Sequence, residues 1–306
     1  MSDDILKTMD TACGSILLLD GATGTELGRR GVEISLPLWS ARAILDAPEV
    51  LEQIHADYLD VGCEAITTNT FRTHRRSLAK GGLGDRAREL TERAVRIAQR
   101  ARDKRNPKAL VLGSVAPLED CYRPDLVPSP AECADEHREM IAQLLDAGVD
   151  LLLLETMNSQ RESMAAVQQA RELAPGKWMV SFCTKPEGPP GVMLRGTPLT
   201  DVLPTLGDAY AVGVNCVVGA AMEAHVRLLR ALLPDNVRIS AYGNSGEYST
   251  EDRCTGGEPA EFDSADPQTY AEYAQVWAAA GASIIGGCCG TTPETMKAVA
   301  DRLGRS

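Results

Sequence analysis

Three cysteines stand where their thiols could act together on one metal ion. Cys216 ends one short apolar segment, and the adjacent Cys288 and Cys289 end another within a glycine-rich stretch. Three thiolates can hold zinc tetrahedrally and leave the fourth position open to a substrate. The flanking glycines allow the bend that neighbouring residues of a strand need to face the same side. Buried structural cysteines and a redox-active vicinal pair are the two other interpretations of these residues.

Two carboxylates occupy similar positions in the chain. Asp20 and Glu155 each follow an apolar run that is typical of a buried strand. A carboxylate in such a place needs a partner. That partner could be the following turn for Asp20, and a loop lysine or arginine for Glu155. If both strands end at the same edge of the fold, the two carboxylates could instead hold a substrate ammonium group.

The segments that carry these residues belong to a regular alternation of apolar runs and segments with helical spacing. Eight strands are predicted, over residues 15–20, 64–70, 109–116, 150–156, 178–184, 209–216, 238–244 and 282–289. Parallel strands that are buried on both faces have continuous apolar runs of this kind. We therefore predict an α/β fold in which residues 1–306 form a single (β/α)8 TIM-type barrel. Its site should lie at the C-terminal ends of the strands.

A doubly wound open sheet is the alternative fold. It is disfavoured because Gly21 and Gly24 lack the third glycine and the acidic partner of a dinucleotide-binding turn. In the barrel, the three cysteines would close strands six and eight and meet at one rim. The Gly/Pro-rich segments 185–198 and 245–265 are predicted to be loops that overhang the same face.

The clearest helix signals are proline starts and glycine stops. One helix is predicted to begin at Pro48 and to stop at Gly62. Another is predicted to begin at Pro267, with Asp266 as N-cap, and to stop at Gly281.

Composition limits the classes of partner. The chain has 31 Lys and Arg against 43 Asp and Glu, a net charge of -12, which disfavours nucleic acid and favours cationic or small zwitterionic ligands. No run of 18 uncharged apolar residues occurs, so we expect a cytoplasmic protein that neither spans a membrane nor is secreted. Nine irregularly spaced cysteines do not resemble a disulfide framework.

Five motifs in order resemble one known family, the zinc-dependent homocysteine S-methyltransferases. They are DGATGTEL at 20–27, TTNTF at 67–71, LLETM at 153–157, GVNC at 213–216 and GGCCGT at 286–291. The resemblance spans nearly the whole chain and is most specific in GVNC followed by GGCCGT. It implies a barrel enzyme that transfers a methyl group to the sulfur of homocysteine to form methionine.

The resemblance also implies roles for individual residues. Zn²⁺ would be held by the three cysteines, and homocysteine would be bound at its amino acid end by Asp20, the Gly21 backbone and Glu155. Asn69 and Asn215 would shape the floor of the substrate site. The third strand ends in GSVAP, where relatives often carry a Gly-Pro pair, so Ala116 leaves the shape of that loop open.

The methyl donor is less defined. The segment PLWSA at 37–41 resembles S-methylmethionine-dependent relatives and favours a sulfonium donor, which would suit an anionic site with aromatic faces. Candidates for those faces are Trp39, Phe71, Tyr242 and Tyr248. Betaine or a related quaternary ammonium is the alternative, and a separate methyl-carrying protein is another, since we expect no cobalamin or folate module after the last helix. The non-enzymatic alternative is a redox sensor or metal-binding barrel. An oligomer is not predicted.

Overall fold

Eight parallel strands form a barrel in the computed structural model, which describes residues 16–246 and 265–305. The strands are β1 (Leu17–Leu18), β2 (Ala65–Thr67), β3 (Leu110–Val115), β4 (Leu151–Met157), β5 (Trp178–Phe182), β6 (Ala211–Val218), β7 (Arg238–Asn244) and β8 (Ile284–Gly287). Each pairs with its neighbour in chain order and β1 pairs with β8. A parallel bridge from Leu19 to Ala65 brings β1 beside β2 and closes the ring. The predicted barrel and all eight strands are confirmed.

Helices surround the strands. They are α1 (Gly24–Arg29), α2 (Ala43–Asp46), α3 (Pro48–Asp60), α4 (Arg75–Lys80), α5 (Ala87–Arg105), α6 (Pro130–Asp146), α7 (Gln160–Leu173), α8 (Met222–Leu232), α9 (Pro267–Ala279) and α10 (Pro293–Arg302). The predicted starts at Pro48 and Pro267 are confirmed. The Asp266 carboxylate caps α9 by accepting hydrogen bonds from the backbone amides of Gln268 and Thr269.

The strands are apolar on both faces because each face has its own partners. Alternate side chains point into the barrel or out toward the helices. In β3, Leu110 and Leu112 pack inside the barrel, whereas Val111 packs with the helices. Inside the barrel these two leucines meet Leu19, Ala65, Leu151, Leu153, Met179, Ala211, Tyr242 and Ile284. These side chains fill the interior of the barrel, so a ligand can bind only beyond them, at a rim.

The connection between β5 and β6 departs from the predicted repeat. Instead of an α-helix it contains two short 3-10 turns, Leu199–Asp201 and Leu203–Thr205. Pro204 inside this segment removes a backbone donor that a continuous helix would need. The turns still bury Leu199 and Leu203 against the barrel. Apolar residues of this segment therefore cover the outside of the barrel, as the missing helix would have done.

One of the two predicted loops, 185–198, lies wholly within the described residues. The segment 185–198 is a loop between strands, and isolated antiparallel bridges join Thr184 to Met193 and Val192 to Pro198. Most of the other predicted loop, residues 247–264, lies outside the described residues, as does Cys254. No helix among the described residues is long and apolar enough to cross a membrane.

Candidate active site

The three predicted cysteines meet at the C-terminal rim of the barrel. The sulfurs of Cys216, Cys288 and Cys289 all lie within 4.8 Å of one another. The Sγ atoms of Cys216 and Cys288 are 3.0 Å apart. In the described part of the chain this is the one cluster of three or more His, Cys, Asp or Glu side chains close enough to share a metal ion. None of the four histidines belongs to it.

A local irregularity of β6 turns Cys216 toward its partners. The pairing of β6 with β7 shifts register between Asn215 and Val218, and Cys216 has a φ of +55°. Side chains with a Cβ rarely adopt this left-handed conformation, and it redirects the side chain from the strand's regular alternation. The bend therefore directs a thiol that a regular strand would place elsewhere.

The loops that follow β1 and β8 hold each other in place. The Thr291 hydroxyl donates a hydrogen bond to the Cys288 carbonyl at 2.7 Å and accepts one from the Ala22 amide at 3.1 Å. The Gly290 amide donates to the Thr25 hydroxyl at 3.0 Å. The contacts to Ala22 and Thr25 join residues more than 260 positions apart. The DGATGT and GGCCGT segments are therefore one structural unit that fixes the cysteine pair.

The two carboxylates lie at the same rim. Asp20 is buried and accepts hydrogen bonds from the Thr67 amide at 2.8 Å and the Thr67 hydroxyl at 2.9 Å. Glu155 accepts one from the Ser114 hydroxyl. Burial raises the pKa of Asp20 to about 8, and nearby Glu155 adds to this effect. Burial also raises the pKa of Glu155 to about 7. Neither carboxyl group forms an ion pair with a described residue, so the two together could accept a cation.

Asn215 does not line the cavity that contains these groups. Its side chain is fully buried, accepting a hydrogen bond from the Thr156 amide at 3.0 Å and donating one to the Thr156 hydroxyl at 2.8 Å. Thr156 follows Glu155 and has a φ of +57° in a second strand bulge. Asn215 thus ties the bulge beside Glu155 to the bulge beside Cys216. Its place is in the support of the site, below the surface that a substrate could touch.

Gly21 and Asn69 do line the cavity. A Cβ at Gly21 would lie 2.8 Å from the hydroxyl oxygens of both Tyr58 and Thr291, so only glycine fits there. The Asn69 side-chain amide donates a hydrogen bond to the Ser40 carbonyl at 2.7 Å. Both residues therefore line the same cavity as the three cysteines.

The cavity has a volume of about 690 Å³, which is large enough for two small substrates. Trp39, Phe71 and Tyr242 line it as anticipated, whereas Tyr248 lies outside the described residues. The rings of Trp39 and Phe71 pack edge to face with centroids 5.8 Å apart. The cavity therefore combines thiols, carboxylates and aromatic faces.

Two further cavity residues were missed in the sequence. The Tyr122 hydroxyl lies 3.5 Å from the Cys216 sulfur, to which it donates a hydrogen bond. Arg72 contributes a guanidinium to the lining. Both residues lie in loops beyond the strand ends, where no periodicity predicts direction. A search for polar residues shortly after each strand could have found Arg72, five residues beyond β2.

The donor set fits a thiophilic divalent metal. Zinc binds thiolates at about 2.3 Å, which places tetrahedral sulfurs roughly 3.8 Å apart. The three observed sulfurs lie within 4.8 Å of one another, and those of Cys216 and Cys288, 3.0 Å apart, would have to separate slightly. The Tyr122 hydrogen bond would stabilise a thiolate at Cys216. The residues present therefore suit a three-thiolate metal site.

Known proteins resemble this chain in sequence and in fold. Residues 17–303 match the profile of the family described as homocysteine S-methyltransferase. The homocysteine S-methyltransferase of Escherichia coli (strain K12) is 33% identical over 94% of this chain and 95% of its own. The homocysteine S-methyltransferase YbgG of Bacillus subtilis (strain 168) is 32% identical over 93% of each chain. A selenocysteine methyltransferase of Astragalus bisulcatus is 29% identical over 98% of this chain and 96% of its own.

A solved structure agrees with these relatives. The crystal structure of the homocysteine methyltransferase MmuM from Escherichia coli, in its metallated form, has a TM-score of 0.78 and 31% identity, covering 94% of this chain and 96% of that one. The family profile covers nearly all of the barrel, including both cysteine motifs. The chain therefore belongs to the homocysteine S-methyltransferase family of methyltransferase enzymes.

Proposed function

We propose that this enzyme transfers a methyl group from a small sulfonium donor, with S-methylmethionine as the best candidate, to homocysteine, using zinc held by Cys216, Cys288 and Cys289. The observation that carries the proposal is the single cavity that contains the three thiols together with Asp20 and Glu155. The thiols suit a metal and a sulfur substrate. The carboxylates suit the ammonium group of an amino acid.

Bound zinc would supply Lewis acidity that keeps the homocysteine sulfur as a thiolate at neutral pH. The three cysteine thiolates bring three negative charges to the rim, so the site stays electron-rich and favours a positively charged donor. Tyr122 donates its hydroxyl to the Cys216 sulfur and restrains that ligand. Histidine ligands would leave the site more positive and would disfavour such a donor.

The amino acid end of homocysteine is assigned to the β1 and β4 rim. Asp20 and Glu155 would hold the ammonium group, and the raised pKa values of both carboxyl groups would fall when that cation arrives. Gly21 presents backbone without a side chain, which permits close approach of the substrate. Asn69 would complete this part of the cavity as a substrate contact. Asn215 would act through Thr156 and hold Glu155 in position.

The reaction needs orientation more than acid–base catalysis. The homocysteine sulfur attacks the methyl carbon, the bond from that carbon to the donor sulfur breaks, and its electron pair stays on the donor sulfur. S-methylmethionine and homocysteine would thereby give two molecules of methionine. No proton moves in this step once the acceptor is a thiolate. A cavity that fixes both substrates can therefore supply much of the acceleration by proximity.

The donor is chosen by charge and by aromatic contact. The paired rings of Trp39 and Phe71 offer faces or edges near a cationic head group. Betaine and other quaternary ammonium compounds would satisfy the same contacts, and a methyl-carrying protein would need to reach the same rim. The PLWSA segment that contains Trp39 favours the sulfonium.

The test is methionine formation from homocysteine by zinc-loaded protein. S-methylmethionine, S-adenosylmethionine, betaine and dimethylsulfoniopropionate would be compared, with the zinc content measured on the same sample. We expect turnover with a sulfonium and about one zinc per chain. Cys289→Ala should lose both, whereas Cys133→Ala, which is buried outside the cavity, should keep both. Wild-type turnover without zinc would refute the metal's role.

Thiol oxidation is a second candidate function. The 3.0 Å contact between the sulfurs of Cys216 and Cys288 brings two thiols side by side. The related MmuM has also been solved in an oxidized form. The sequence hypothesis had named a Cys288–Cys289 disulfide, whereas this contact favours one between Cys216 and Cys288. Mass spectrometry that finds only free thiols after mild oxidation would count against a redox role.

A further inference from the structure

Arg72 is a cation that has no hydrogen-bond or ion-pair partner among the described residues, in an otherwise acidic cavity. Among the described residues that line the cavity it is the one Lys, Arg or His. Its Nε atom is buried and has no hydrogen-bond partner. Asp120 also lines the cavity, but its carboxylate accepts a hydrogen bond from the Tyr122 amide at 2.9 Å and forms no ion pair with Arg72. Within the ranges 16–246 and 265–305, the guanidinium is therefore unpaired.

The backbone around Arg72 is held firmly on both sides. The Thr70 hydroxyl donates to the Ser114 carbonyl at 2.8 Å, and the Thr73 hydroxyl lies 2.8 Å from the hydroxyl of Thr91. Phe71 packs against Trp39. Arg72 is thus a fixed element of the cavity wall. Burying part of a guanidinium without a partner is unfavourable, so an anion that completes the site would remove this cost.

The charge of Arg72 acts on the side of the cavity formed by the β3–α6 loop. It lowers the pKa of the Cys121 thiol, against the larger effect of burial, which raises that pKa well above its ordinary value. Asp20 and Glu155 lie at the β1 and β4 ends, where Glu155 contributes to the raised pKa of Asp20. Among the described residues, no hydrogen bond or ion pair joins Arg72 to Asp20, which bonds to Thr67, or to Glu155, which bonds to Ser114.

We propose that Arg72 binds the carboxylate of a zwitterionic methyl donor, so that the cavity selects onium compounds that also carry a carboxylate. This inference rests on the proposed function, in which the donor is an onium compound. Arg72 directly follows Phe71, so the aromatic pair and the guanidinium come from one short segment. A planar guanidinium with five donors matches a carboxylate bidentately.

The same arrangement works against donors that lack the carboxylate. An onium cation beside an unpaired guanidinium experiences like-charge repulsion, whereas a donor carboxylate neutralises Arg72 and removes that repulsion. Selection therefore has an attractive part and a repulsive part. Trimethylsulfonium or choline-like cations would meet only the repulsive part.

The test measures donor binding apart from turnover. Calorimetry on the zinc-loaded protein would compare S-methylmethionine with 3-aminopropyldimethylsulfonium, which is the same donor without its carboxylate. Saturating homoserine would occupy the amino acid subsite without providing a thiol. Wild-type protein would be compared with Arg72→Gln and with Arg75→Gln, a control in which an exposed arginine on the same segment is changed.

We expect the wild type to bind S-methylmethionine about 10- to 100-fold more tightly than the analogue, as for a charge-assisted pair. Arg72→Gln should abolish this preference at unchanged melting temperature, and Arg75→Gln should retain it. Equal binding of the two compounds by the wild type, no binding of either, or a preference that survives in Arg72→Gln would overturn the inference. If the wild type prefers S-methylmethionine in calorimetry but forms no methionine from it in the turnover assay with homocysteine, the proposed function is refuted and the Arg72 site still stands.

Discussion

Asp20 should limit the stability of the protein because its carboxyl group is buried without a cationic partner among the described residues. Its pKa is raised from 3.8 to about 8, mainly by burial. Well below pH 3.8 the group is protonated in both folded and unfolded protein and has no effect on stability. Between pH 4 and pH 8 the folded state retains a proton that the unfolded state has released, so stability falls as the pH rises, and it levels off above about pH 8.

The variant that tests this prediction is Asp20→Asn, which removes the negative charge of the carboxylate. The asparagine oxygen can accept the hydrogen bond from the Thr67 amide, and its NH₂ group can donate to the Thr67 hydroxyl, so both contacts survive without the charge. At about 1.4 kcal/mol per pH unit between 3.8 and 7, the ionisation penalty at pH 7 is about 4 kcal/mol at most. The variant should exceed the wild type in stability by up to that amount.

The assay is urea denaturation of the metal-free protein at pH 4, 7 and 8.5. The difference between Asp20→Asn and wild type should be under about 1 kcal/mol at pH 4 and should grow toward pH 8.5. Homocysteine binding to the variant should weaken by roughly 10- to 100-fold, since the ammonium loses a charged partner. Asp125→Asn is the control, because the exposed Asp125 carboxyl has its pKa lowered by Arg123 and any pH effect has the opposite sign. If Asp20→Asn is less stable than the wild type at pH 8.5, ionised Asp20 does not destabilise the folded protein.

The supports of the site lead to two further predictions. Thr291→Val removes the hydrogen bond that the Thr291 hydroxyl accepts from Ala22 and the one that it donates to the Cys288 carbonyl, so metal loss to a chelator should accelerate about 10-fold, whereas the exposed Thr200→Val should behave as wild type. Asn215→Ala leaves the Thr156 amide unpaired next to a new cavity, which should cost about 2 to 4 kcal/mol in urea denaturation and lower kcat/KM for homocysteine about 10-fold. Unchanged metal release in the first variant, or unchanged kcat/KM in the second, would contradict these positioning roles.

Local pattern was enough to predict the strands and the ends at which chemistry occurs. The apolar runs that precede Asp20, Glu155 and Cys216 form strands because parallel strands packed on both faces need continuous apolar residues. The order of strands and helices then places these residues at one rim, since all carboxyl ends of a parallel barrel point the same way. The one missing helix, between β5 and β6, shows that apolar spacing alone does not distinguish a helix from short turns around a proline.

The directions of the side chains at that rim depend on tertiary contacts. The left-handed backbone at Cys216 and Thr156 depends on bulges and on Asn215, which joins two strands. The position of Cys288 depends on Thr291, whose hydroxyl also bonds to Ala22, near the other end of the chain. Arg72 enters the cavity from a loop. Periodicity reports which face of a regular element is buried, whereas direction at an irregular strand end is set by contacts between residues distant in sequence, which no local pattern contains.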